Sequence, residues 1–253
     1  MEENLQSQTK NSSMSFTDKL TNIFTSPSEL FDYVATSEKE TSNWFAPLSI
    51  TILLSIIFTF VVFTRPAIQS QMQEQQEKVF QQRVADGKMT AEQAEMAMEK
   101  NPAKPGSPMF LVFGSVGVIF VLFGTLFISA LVFWLAGKWF FKTSTSYNKV
   151  MEVVGLSMYI MAFGTIITMI TIIMKDALHA TPSAAFFLND FDQSNKLHKL
   201  YSSLDIFSIW YLTVISIGLS KIFSLSTEKG FFIAFGVWAM YVAVKIFLNI
   251  NIG

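Results

Sequence analysis

Cysteine is absent from all 253 residues, which excludes disulfides, iron–sulfur clusters and thiolate zinc sites. Histidine occurs only at His179 and His198, too far apart for a compact ligand pattern of the HExxH kind, so no metal and no Ser/His nucleophilic set is expected. Charge is scarce and balanced: 18 basic against 19 acidic residues give a net charge of −1, which leaves no field for nucleic-acid binding. No cleavable signal peptide is expected either, because the first apolar run begins only at Trp44, behind a polar N-terminus. The first span is therefore expected to serve as its own insertion signal. No motif for a cofactor or a catalytic reaction is present, and the expectation is a non-enzyme.

Apolar length fills the place of these missing features. Hydrophobic residues make up 51% of the chain, 26 of them Phe, and the mean hydropathy of +0.41 points to an integral membrane protein. Met109 to Met174 organises the rest. Met109 to Gly137 carries no charge, and about 20 apolar helical residues already cross a hydrocarbon core. Lys138 to Lys149 is too polar for hydrocarbon and too short for a domain, so Val150 to Met174 must turn straight back. Glu152 then falls in the first turn of the returning span, near headgroups and the positive end of the helix dipole.

In chain order, residues 1–14 lack apolar periodicity and read as disordered. Phe16, Leu20, Ile23 and Phe24 have the spacing of a helix face. Ser26-Pro27-Ser28-Glu29 predicts a second start, with Ser26 as N-cap, Pro27 at the first helical position and Phe31 on the apolar side. These pre-membrane helices (15–43) read either as an interfacial or partner-binding element or as helices packed on their own bundle. Span one is expected over 44–64, with Trp44 in the aromatic belt and Pro47 in the first turn. Residues 66–108 read as a polar helical hairpin, ended first by Gly87 and restarted by Thr90 with Gln93 three residues on, as either a partner-docking arm or a solvated extension of span one. Further spans are expected over 109–137, 150–174, 204–223 and 230–248. Asp205 suits the N-cap of span four, which is short enough that Lys221 must reach outward, and Lys245 interrupts span five near its end. Glycines at 114, 117 and 124 in span two and at 155 and 164 in span three suggest close approach of those two helices. The fold class is thus all-α: a bundle of five transmembrane helices (44–250) with N-terminal amphipathic helices and a polar hairpin insert. The Lys-bearing short connectors favour an N-terminus in the cytoplasm, with the C-terminus opposite.

Several stretches carry a family likeness. Ile23-Phe24-Thr25-Ser26-Pro27-Ser28-Glu29-Leu30-Phe31 followed by Trp44 and Pro47, Ser146-Tyr147-Asn148-Lys149-Val150 leading to Gly155, and Leu204-Asp205-Ile206-Phe207-Ser208-Ile209-Trp210 leading to Gly218 together resemble the Ypt-interacting protein (Yip) domain family, in its prokaryotic form. The 66–108 insert departs from the compact eukaryotic pattern. The resemblance implies a non-enzymatic polytopic protein with a cytosolic N-terminus, whose eukaryotic relatives bind prenylated Rab GTPases. Residues 1–43 hold no Rab-binding motif.

Two functions compete on these residues. A scaffold or adaptor would recruit a protein partner through the N-terminal helices or the insert, with the bilayer and a second copy of the chain as further partners. A small-solute or ion transporter would use the three ionisable residues placed at membrane depth, Glu152, Asp205 and Lys245. Pro27, Phe31, Trp44, Pro47, Gly155, Trp210 and Gly218 complete the set of candidate structural or interface residues, and no cofactor is expected.

Overall fold

The computed structural model describes residues 14–188, 191–192 and 195–247. The expected disorder of residues 1–13, Asp190 beside the histidines, and the end of span five from Leu248 lie outside them. The described chain is helical, with one isolated antiparallel bridge between Ser183 and Asp205. Helices α1 (Phe16–Thr25) and α2 (Pro27–Thr36) precede α3 (Ser42–Phe63); α4 (Pro66–Ala85) and α5 (Ala91–Glu99) form the insert. Then come α6 (Pro108–Phe141), α7 (Tyr147–Lys175), a single 3-10 turn (Ala184–Phe187), α8 (Lys196–Ser203), α9 (Ile206–Ile222) and α10 (Thr227–Phe247). Four of these, α3, α6, α7 and α10, are long and apolar enough to cross a membrane; α9 is apolar but has 17 residues, ~25 Å at the α-helical rise.

The centre of the bundle is α7. Val150 to Ile160 are buried without interruption, against α3, α9 and α6. Small residues let neighbours come close: a Cβ at Gly155 would stand 2.4 Å from Trp44 Cα, and one at Gly164 would meet Phe207 Cβ at 2.8 Å. The close approaches are therefore between α3 and α7 and between α7 and α9. The expected partner, span two, does pack on α7, but its glycines do not make the contact: Gly117 and Gly124 of α6 face open space. The spacing of glycines shows where a helix can be approached, and the approaching helix is set by loop geometry beyond the sequence pattern.

Several helix ends follow local rules. Thr90 and Gln93 form the expected capping box, each side chain bonded to the other's backbone N–H. Gly87, at φ +69°, takes the left-handed turn after α4. Asp205 caps α9, its Oδ1 accepting from Phe207 N (3.0 Å) and Ser208 N (2.9 Å). Ser26 does not act as the expected cap: its side chain bonds to nothing in α2, because Ser26 also closes α1 and sits at φ −144°, ψ 57°. Pro27 does open α2. The working capping box lies upstream, between Ser15 and Asp18. Pro47 also departs from expectation. Since α3 begins at Ser42, Pro47 lies beyond the first turn and leaves the Asn43 carbonyl without its helical donor.

Candidate functional site: a buried polar clasp

The apolar sides of α1 and α2 are spent inside the molecule. Ile23, Leu30, Phe31 and Val34 are fully buried and belong to the main core. Phe31 packs at Gly218 of α9, where its ring edge lies 3.1 Å from an added Cβ, and Phe24 meets Trp210 edge-on at 5.8 Å. Of the two readings of the N-terminal helices, packing on the bundle is the one observed.

Beneath this apolar contact runs a chain of polar side chains. Lys19 of α1 reaches Glu40 (2.5 Å) and the Asn43 side-chain oxygen (2.9 Å). Asn43 Nδ2 donates to Glu152 Oε2 of α7 at 2.7 Å. Lys149, one turn earlier on α7, lies 3.5 Å from Glu152 Oε1 and donates to the carbonyls of Val34 (2.7 Å) and Glu38 (3.0 Å). Tyr33 closes the ring by donating to Glu40 at 3.0 Å. Lys19, Asn43 and Glu152 are all buried, so each needs these partners. Glu152 Oε1 receives no hydrogen bond, and the Lys149 ammonium is its compensating charge. Burial pushes the Glu40 carboxyl upward, but bonds from Lys19 and Tyr33 and the Lys19 charge outweigh it and hold Glu40 below its ordinary range. Burial, with Glu40 beside it, raises the Tyr33 phenol. Glu152 lies a turn further into the helix than its spacing predicts, because α7 begins at Tyr147 and its first turn holds no acidic residue. Lys19, Glu40 and Asn43 gave no signal in the sequence, because their partners lie across three elements.

The other candidate residues go elsewhere. Asp205 caps α9 and Lys245 lies half-buried on α10, within electrostatic range of Lys199; among the described residues the three ionisable groups of a transport path are not brought together. Lys221, expected to reach for headgroups, pairs with Asp32 of α2 at 2.7 Å. Trp44 packs edge-on against Phe127 at 5.9 Å over the Gly155 contact. His179 and His198 flank the Phe191 ring, stacked at 5.6 and 5.8 Å, and no metal-binding group of side chains occurs among the described residues. Phe187 is exposed on the 3-10 turn, while Lys175 sits 3.7 Å over the Phe186 ring.

A helical bundle with four membrane-length apolar helices, two helices clasped onto one end and a polar arm at the other defines a multi-pass integral membrane protein. The Yip1 domain model matches residues 21–248, and the chain belongs to that family. No curated protein and no solved structure matches it significantly.

Proposed function

We propose that this protein is a non-enzymatic membrane scaffold, anchored by five crossings with the N-terminus in the cytoplasm, that offers the α4–α5 arm to a protein partner. One observation carries the reading: the apolar faces of α1 and α2 are used up in the bundle, whereas most of the arm beyond Ile68 is exposed, Val79 (45%) and Met96 (41%) included, with Ala94 buried inside it. The base of the arm is fixed. Arg65 pairs with Asp176 at 2.6 Å, and Gln71 exchanges bonds with Asp176 O and Leu178 N. These contacts hold the 66–108 and 175–204 segments at one end, opposite the Lys221–Asp32 pair, which supports α9 as the fifth crossing. A fixed stalk with a solvated tip suits docking better than it suits a transport path. Photo-crosslinkers at Val79 and Met96 in native membranes should capture one recurrent soluble protein, and a crosslinker at Ile23 should capture none. Solute flux in proteoliposomes that Glu152→Gln or Lys245→Met abolishes would overturn the scaffold reading.

A further inference from the structure

A groove of about 530 Å³ opens between α3, α6, α7 and the start of α9. Its volume falls within the ~300–1,000 Å³ range of ligand sites. Phe58 of α3 and Val118, Val121 and Leu122 of α6 give it apolar walls, and Val121, 63% exposed, stands on the lip that faces surrounding lipid. Hydroxyls of Ser55, Thr59, Thr165 and Thr168 interrupt these walls, and toward the start of α9 the lining is polar, with Thr181, Ser202, Asp205 and Ser208. This polar end lies unusually deep. Phe207 packs at Gly164, three turns before the end of α7 and so ~16 Å along it, because the segment after α7 descends before α9 begins. The shortness of α9 and the polar end of the groove have the same origin.

Among the described residues that line the groove, Asp205 is the one ionisable group. Its cap bonds fall on Oδ1, and a carboxylate offers about four acceptor positions, so it can take a further donor. A carboxylate without a lining cation repels phosphate-only headgroups and attracts an ammonium. The apolar half opens sideways into the bilayer, where the available occupant is an acyl chain. We infer that the groove binds one bilayer lipid with a primary-amine headgroup, its chain along Phe58, Val118 and Val121 and its ammonium on Asp205. This site is separate from the arm and stands whether or not the scaffold reading does.

The test is native mass spectrometry of the full chain in detergent, titrated with phosphatidylethanolamine or with phosphatidylglycerol of matched chains. The expected result is one retained phosphatidylethanolamine, held at least tenfold more tightly than phosphatidylglycerol. Asp205→Asn, which can still cap α9, should bring the two lipids within about twofold. Val121→Trp, on the exposed lip, should abolish retention of both while leaving the melting temperature unchanged. Equal retention of the two lipids by the native chain, retention that survives Val121→Trp, or a discrimination unaltered by Asp205→Asn would each overturn the assignment. Saturable binding of a water-soluble primary amine that the lipid does not displace would instead mark a solute site and refute the lipid one.

Discussion

At the scale of single residues, the clasp makes Glu152 the side chain whose loss should be felt most. Replacing it with Ala leaves the partly buried Lys149 ammonium without its counter-charge and the buried Asn43 amide without its acceptor. Breaking a buried pair in this way costs ~3–5 kcal/mol, so Glu152→Ala should lower the melting temperature in detergent sharply. Glu152→Gln, which still accepts from Asn43, should cost less; equal melting curves for the two variants would show that hydrogen bonding to Asn43 contributes nothing. Glu40 adds a pH dependence. Its folded pKa lies below the unfolded value, so its stabilisation is present above the ordinary carboxylate range and is lost as pH falls through the lowered folded value. Amide exchange in α1 and α2 should therefore quicken on acidification below the ordinary range, and Glu40→Gln should show quick exchange already at neutral pH. An acid step that persists in Glu40→Gln would assign it to another group. Capping separates in the same way: Ser15→Ala and Thr90→Ala should each destabilise their helices by ~1 kcal/mol, whereas Ser26→Ala, which removes no bond to α2, should leave exchange over Leu30 to Val34 unchanged.

Among whole elements, glycine position decides what the bundle tolerates. A methyl at Gly155 would overlap the Trp44 backbone, which cannot swing away as a side chain can, so Gly155→Ala must push α3 off α7. A severe loss of thermal stability is expected. Gly117→Ala and Gly124→Ala meet nothing, and in a helix interior the change should stabilise by ~0.5–1 kcal/mol. If melting curves rank these three variants in any other order, the packing of α7 against α3 is misassigned. This contrast also marks how far the sequence was legible. Apolar length located α3, α6, α7, α9 and α10 to within a few residues, and turn chemistry located Gly87, Thr90 and Asp205. Charge alone puts the start of the connector after span two at Lys138, yet α6 continues to Phe141 before Lys142 turns left-handed at φ 56°. Helix pairing was not legible, since Gly155 advertises a close contact without naming Trp44. Nor was the clasp, because a lone Lys19 or Asn43 looks like any solvated polar residue until α1 folds back.

For the molecule as a whole, the question is whether its ionisable groups act together across the membrane or separately at its two ends. Glu152 belongs to the clasp, on the end that also holds Asp32 and Lys221. Asp205 belongs to the descending segment at the groove, bridged to Ser183, and Lys245 lies near Lys199, a like charge. A transport path would require Asp205 and Lys245 to compensate each other, and losing either partner of a buried pair would then be costly, with strong coupling between the two substitutions. The observed arrangement gives each its own surroundings. Melting temperatures of Lys245→Leu, Asp205→Asn and the double variant should therefore be additive to within ~0.5 kcal/mol. Lys245→Leu alone should be neutral or slightly stabilising, because it removes a half-buried charge that faces another cation. The absence of native cysteine permits a companion measurement: single cysteines at Ser70 on α4 and Ser144 after α6 should label from opposite sides of the membrane. Labelling from one side would remove the odd number of crossings between them, and a coupling well above additivity would restore the transport reading that the separate placement of these charges disfavours.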